Sequence, residues 1–599
     1  MKRIHYYIVG AISAVCGLSS CSDFLEIEPQ NEIILEQFWN EKADVEAIVA
    51  GCYSGMQAEG VIKRMMVWGE FRSDNIGPGS NVQQDGSLEK ILKENIDAKN
   101  TYTNWSDFYT VINRCNTVIK YAPGVAEIDP AYTQSELQAN IAEVVALRSL
   151  CYFYLIRAFR DVPFSREAYI DDDQKMDLPA TKFDAVLDSL IFDLESVKGN
   201  AVKRYPVTKE LYQTSRITQD AIHALLCELY LWKKDYQKCV EYADLVINSK
   251  KVIYEENRQK RNTSSSLQST SDVEDRFNGF PLAVNSISTN YYGDAYTTVF
   301  GSDRDNIDEK NQEIIFQLVF DDDPEASGMP ANGAANSFYG NSQSTTGLVA
   351  PSDYIYAQIE ATGVDRKVFA EKNKMYDARI YTNCRYSGSS SGNSNKSINK
   401  FTTSTIDIYA PGGAAPQASY GSKYRQNQNG SNWIIYRLPD IMLLKAEALT
   451  QMMRDGSDEN ASEYNKSLLD RAFTLVNAIN KRSLCQTQLA DTLIRGSYSS
   501  KGDMENLVLQ ERQRELMFEG KRWFDLVRLS QRTGNTQILK AAALQKASTG
   551  AGLISNHLSK MDAIYWPYNL DEMKVNLNLV QNPAFGSGEN DSYEKTTKK

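Results

Sequence analysis

Apolar residues recur at three- and four-residue spacing along most of this chain, the repeat that places them on one helix face. Residues 31–58 read as a helix carrying Phe38, Val45, Ile48, Val49 and Cys52. Residues 105–121 read as a second, with Phe108, Val111, Ile112, Cys115 and Ile119 on one side and Trp105 as a packing residue at its start. The clearest spans about 137–160, where Val144, Leu147, Cys151, Tyr154, Leu155 and Ala158 keep the spacing. It stops before Asp161-Val162-Pro163, because proline disfavours helical backbone in the residue before it. Thr218 is placed to cap a helix running to about Trp232, and after Lys233-Lys234-Asp235-Tyr236 a partner helix runs to about Asn248. Residues 438–453 and 461–481 form a similar pair across the turn-rich Asp455-Gly456-Ser457-Asp458, and the helices at 105–121 and 137–160 form another.

Such pairs bury a continuous apolar face only by stacking on one another. The stretch Leu229 to Cys239 resembles the turn of a tetratricopeptide (TPR) helix hairpin, but the period is not strict. The pattern therefore predicts a mainly α fold of TPR-like hairpins together with an irregular, loop-rich domain and a few short strands. Between about 251 and 430 Ser, Asn, Gly and Tyr dominate, and long irregular stretches inside a folded chain are commonly functional. Within them Ile314 to Phe320 reads as a short buried strand. A long charged helix is expected at about 503–531 and a polar, frayed tail from Gly586 to Lys599. The organisation read from this is a leader at 1–20, a helical region at 21–250, the loop-rich region at 251–430, which is expected to contribute the ligand site, and a second helical region at 431–599.

The leader sets the compartment. Lys2 and Arg3 precede a mostly apolar run at 4–18, the length of a signal-peptide core and short for a membrane span. Leu18-Ser19-Ser20-Cys21 then resembles a bacterial lipoprotein cleavage site, with Cys21 as the lipid-bearing residue and no other apolar run long enough to span a membrane. The mature chain is expected to be a folded body held at a membrane by acyl chains on its first residue. Net charge is −12, and removing residues 1–20 with their two basic groups takes it to −14. No basic stripe interrupts this, which argues against nucleic acid as a partner. Seven cysteines other than Cys16 and Cys21 remain, with no CxxC, and most read as small core residues with at most one fortuitous disulfide.

Catalytic patterns fail on context. Gly388-Ser389-Ser390-Ser391-Gly392 matches G-x-S-x-G inside a Ser/Gly run, without the strand and helix a nucleophile elbow needs. Three histidines, at 5, 223 and 557, leave little room for metal or acid–base chemistry, and His223 lies within a helix. The runs Asp171–Asp173 and Asp321–Asp323 lack EF-hand spacing and read as solvated loops. No catalytic residue, metal or cofactor is therefore assigned. The acids from Glu511 to Asp525 alternate with arginines, so Glu511–Arg514, Glu519–Arg522 and Asp525–Arg528 are expected to pair along one helix. An adjacent arginine lowers a carboxyl pKa, the wrong direction for a general acid.

That same stretch, ERQRELMFEGKRWFDLVR, resembles the C-terminal signature of the SusD/RagB family of Bacteroidetes surface lipoproteins. Four further segments agree in order: Cys21-Ser22-Asp23-Phe24-Leu25-Glu26; Ala142 to Pro163; Tyr436-Arg437-Leu438-Pro439-Asp440 with Lys445-Ala446-Glu447-Ala448; and Asn576 to Pro583. The resemblance implies a non-catalytic lipoprotein of the outer membrane, facing the exterior. It implies a SusC-like TonB-dependent barrel as partner, over which the protein acts as a hinged lid, and a captured glycan passed into that barrel. Alternatives are a peptide-capturing lid of the same family, a glycosidase or esterase, and a TPR-like scaffold with no soluble ligand.

Sugar recognition needs aromatic faces against the C–H side of the ring and planar polar groups for the hydroxyls. The candidates on loops are Tyr291, Tyr292, Tyr296, Tyr339, Tyr354, Tyr356 and Trp433. Trp68 to Asn75 resembles the family segment leading into a ligand-facing loop, which adds Trp68, Asp74 and Asn75.

Overall fold

The computed structural model describes residues 38–171, 173–264, 277–283, 295–300, 312–340, 347–355, 377–387, 395–403, 406–409, 417–421, 427–454, 459–484, 493–546 and 550–586. Cys21, Tyr291, Tyr292, Tyr356, Cys485, the Gly388–Gly392 run and the tail beyond Gly586 lie outside these. The fold is mainly helical, as the periodicity predicts. In chain order α1 is Lys42–Gln57, α2 Glu59–Met66, α3 Gly86–Leu92, α4 Ser106–Ile128, α5 Gln134–Phe159, α6 Phe183–Val197, α7 Gln219–Lys233, α8 Tyr236–Ser264, α9 Gly333–Tyr339, α10 Leu438–Gln451, α11 Glu459–Arg482, α12 Lys501–Leu516 and α13 Arg522–Thr533. The strands that matter here are β1 (Ile76–Pro78), β2 (Ile314–Leu318), β3 (Val349–Pro351) and β4 (Trp433–Arg437). β1 pairs antiparallel with β3, and β2 with β4.

The hairpins form where expected. α4 packs on α5, α7 on α8, α8 on α10, and α10 on α11, so successive pairs bury their apolar faces against one another. The α7–α8 turn closes on Lys234 in the left-handed region (φ 66°), with the Asp235 N–H donating to Tyr230 O at 3.0 Å. Several helices run past their expected ends. α8 continues to Ser264, and α4 continues through Pro123 to Ile128.

α5 is long and apolar enough to cross a membrane, contrary to the expectation that no run after the leader is, yet 83% of its most apolar stretch is buried inside the fold. Its charges show why it belongs to a core. Glu143 binds Arg216, Arg148 binds Asp193 at 2.8 Å and Arg157 binds Glu228 at 2.9 Å. Glu228 also accepts from the Tyr436 hydroxyl at 2.6 Å, tying the central helix to β4.

The expected helix at 503–531 is two helices. α12 ends at Leu516, and Phe518 (φ 69°) and Gly520 (φ 71°) turn the chain through the left-handed region before α13. The turn is pressed against a single turn of π-helix at Val67–Phe71. A Cβ on Gly69 would lie 1.9 Å from Gly520 O, so only glycine fits there.

This break redirects the ion pairs. Glu511–Arg514 and Asp525–Arg528 form as expected, at 2.6 and 2.9 Å. Glu519 does not meet Arg522, because it lies within the turn and not on α13. Glu519 instead binds Lys400 (2.6 Å) and Arg437 (2.7 Å), and Arg522 binds Asp74 (2.9 Å). Glu515 receives Arg437 (2.6 Å), Arg379 (3.1 Å) and Arg482, while Glu313 receives Arg437 (3.0 Å) and Arg482 (2.9 Å). All these groups are buried, so the network seals the loop-rich region onto α12. The six described cysteines are free and buried.

Candidate functional site

The loop after the π-turn is built from the core outward. Glu70, fully buried, accepts from the side-chain amide of Asn75 at 2.7 Å and from the backbone N–H groups of Phe518, Lys521 and Arg522 at 3.0, 3.1 and 3.3 Å. It thus caps α13 from a distant part of the chain. Burial raises its carboxyl to about 6, against the downward pull of those hydrogen bonds. Burial also pushes the Asp74 carboxyl up, but the paired Arg522 guanidinium outweighs this and holds it below the ordinary carboxylate range. Gln513 donates to both Asp74 (3.0 Å) and Asn75 (2.9 Å). Ser352 N–H donates to Asn75 O at 3.0 Å, and the β1–β3 ladder carries the chain outward to Gly79, whose N–H donates to Leu348 O at 3.0 Å.

Beyond Gly79 the chain reaches the surface and forms one wall of a polar cleft of about 730 Å³. Asn81, Gln84, Asp85, Gly86 and Ser87 line this wall, with Thr101 beside them. Asp85 is fixed twice: it accepts Leu88 N–H at 2.9 Å as the cap of α3, and the Tyr102 hydroxyl at 2.6 Å. Gly333, Asn336, Ser337 and Gly340 of α9 and its C-terminal turn also line it, with Gly347, Leu348 and Asn427. Glu59, the first residue of α2, is a further lining residue and pairs with Lys63 at 2.7 Å. A further pocket of about 400 Å³ shares Glu59 and Gly333 and is otherwise lined by uncharged groups, including Gln57, Phe320, Pro330 and Asn332. The two together make an open, extended, amide-rich surface of the size that binds small ligands.

The structure places the expected ligand-binding side chains elsewhere. Trp68 is buried, its indole N–H donating to Tyr102 O at 2.8 Å and its ring stacked on Phe108. Asp74 and Asn75 are buried in the contacts just described. Tyr296 is buried with its hydroxyl donating to Glu515 at 2.8 Å and the Arg482 guanidinium over its ring. Tyr339 is buried and donates to Phe518 O at 2.9 Å; Trp433 is buried against Phe401. In place of the expected exposed faces, these six side chains are held by the fold's own contacts. Tyr354 stays half-exposed but is not among the cleft's lining residues. The segment from Trp68 to Asn75 leads through β1 into the cleft wall. The lining residues themselves, from Asn81 to Ser87 and from Gly333 to Gly347, escape sequence reasoning because polar loop residues look alike whether they face water or a ligand. Among the described residues no group of three or more His, Cys, Asp or Glu is placed to hold a metal ion.

Comparison with known proteins agrees with this architecture. Residues 312–585 match the model of the SusD family, and residues 23–231 match a family described as starch-binding and associating with the outer membrane. SusD-like protein P38 of Formosa agariphila is 25% identical over 95% of this chain and 96% of its own length. SusD-like protein P2 of the same organism is 23% identical over 87% and 90%. Among solved structures, a SusD superfamily protein of Bacteroides thetaiotaomicron superposes with a TM-score of 0.60 at 19% identity, covering 92% of this chain and 99% of its own. A laminarin-binding SusD-like protein superposes with a TM-score of 0.57 at 18% identity, covering 91% and 100%. The chain belongs to the SusD/RagB family.

Proposed function

We propose that this protein captures a nutrient glycan in the cleft between residues 81–87 and α9 and passes it, unmodified, to a SusC-like TonB-dependent barrel in the outer membrane. The lipid carried by Cys21 holds it at the cell exterior. The observation that carries this reading is the lining itself. Planar amides of Asn81, Gln84 and Asn427, and hydroxyls of Ser87, Thr101 and Ser337, line one open groove. Such groups donate and accept at once, as sugar hydroxyls do. A solved relative in fold is described as laminarin-binding, which supports a glycan as the ligand class. The carboxylates that most resemble a catalytic set serve the fold. Burial pushes Glu511 and Glu515 up, but their paired arginines outweigh it and hold both low, so neither retains a proton to donate at neutral pH.

Electrophoresis of residues 22–599 through gels each containing one polysaccharide tests the reading. Retardation in at least one gel is expected, with loss of that retardation in the double variant Asn81→Ala, Gln84→Ala. No retardation in any gel, or retardation untouched by the double variant, would sink the glycan reading or its placement respectively.

A further inference from the structure

We infer that the cleft selects uncharged glycans and turns away chains bearing carboxylate or sulfate groups. This rests on the glycan reading above and adds the ligand's charge class. Of the described residues that line the two adjoining pockets, only Glu59 and Asp85 carry charge, and both are acids. Neither pocket has a lysine or arginine among those lining residues. Recognition of a uronate or a sulfate ester relies on guanidinium or ammonium groups that replace the anion's lost water.

Asp85 is locked in place rather than mobile. One oxygen takes Leu88 N–H and the other takes the Tyr102 hydroxyl, so the carboxylate cannot swing away from an approaching anion without uncapping α3. Glu59 sits where the two pockets meet, so a ligand spanning both passes beside it. Its partner Lys63 is on the next turn of α2 and is not a lining residue of either pocket. The whole chain adds to the effect, since its net charge of −12 repels a polyanion before contact. Specificity of this kind is a built repulsion as much as an attraction. For a neutral sugar the same carboxylates are an asset, because each accepts hydroxyl protons in short, charge-assisted hydrogen bonds.

The test uses the neutral polysaccharide that most retards the mature chain, and two derivatives of it with matched degrees of substitution, one carboxymethylated and one hydroxyethylated. Binding is measured by affinity electrophoresis and titration calorimetry at low and high salt. The hydroxyethylated form is expected to bind like the parent. The carboxymethylated form is expected to bind at least about tenfold more weakly than the hydroxyethylated form at low salt, and the gap should narrow as salt screens the repulsion. Glu59→Gln, at an exposed position, should narrow the gap at low salt. Equal binding of the two derivatives would overturn the inference and leave glycan capture standing. So would retardation by alginate or polygalacturonate as strong as by any neutral chain. No retardation by neutral or acidic polysaccharides would overturn glycan capture itself, and the inference with it.

Discussion

Glu70 shows how one side chain joins distant parts of this chain. Its two oxygens take four donors, three of them backbone N–H groups around the start of α13. Replacing it by Gln turns an NH₂ group towards backbone donors and leaves at least one buried N–H without an acceptor. Glu70→Gln is therefore expected to lower unfolding free energy by about 1–3 kcal/mol at neutral pH, measured by urea denaturation. The pH dependence follows from the sign of the shift. The folded chain holds this proton up to about pH 6, against an ordinary value of 4.5. Folding thus favours the protonated form, and Glu70's contribution to stability falls as pH rises across that window. The deficit of Glu70→Gln should accordingly be larger at pH 5 than at pH 7, by about 1 kcal/mol. A deficit that does not change between the two pH values would refute the assignment.

At the scale of elements, the decisive contact is between the π-turn at 67–71 and the turn that separates α12 from α13. Gly69 lies against the backbone of Gly520, and backbone cannot yield as a flexible side chain can. Gly69→Ala should cost several kcal/mol and either prevent folding or lower the thermal midpoint well beyond the effect of Gly51→Ala, where a Cβ meets nothing within 4 Å. Comparable midpoints for the two variants would show that the turns separate readily.

This contact also explains what the sequence conveyed and what it withheld. The hairpin helices are legible because burial imposes their period directly, as at Val144, Leu147 and Cys151 of α5. The turn at 517–521 is not, since Leu516, Met517 and Glu519 are good helix formers and the element that bends them lies over 400 residues earlier. Likewise Tyr296, Tyr339 and Trp433 sit in stretches rich in Ser, Asn and Gly, which reads as exposure. Partners on α12 and in the turn after it, and Phe401, enclose them. The cleft's own residues are amides and small hydroxyls, and nothing in their local pattern marks them.

Across the whole molecule, buried charge governs behaviour in acid. Asp440 is pushed up by burial, yet the Lys521 ammonium and Arg512 guanidinium outweigh this and hold it at about 2. Glu447 and Glu515 are held lower still by their arginines, against the same burial. Each depressed carboxyl stabilises the fold above its unfolded pKa of about 4, and that stability drains away as pH falls towards 2. Cooperative acid unfolding below about pH 4 is expected, followed by circular dichroism. Arg437→Met, which takes one buried cationic partner from each of Glu313, Glu515 and Glu519, should move the transition to higher pH and cost about 3–5 kcal/mol at neutrality. An unmoved acid transition in that variant would remove the network from the account.

The same network has a consequence for how the chain is made. Arg379, Lys400, Arg437 and Arg482 all precede the acids at 511, 515 and 519 that complete their neutralisation. A growing chain that has reached residue 482 thus carries cations destined for the interior whose counter-charges are only partly in place, Asp377 and Glu313 being made and the acids of 511–519 still to come. The middle of this protein is finished last, and release of an incomplete chain leaves it open to proteases however well its earlier hairpins have formed.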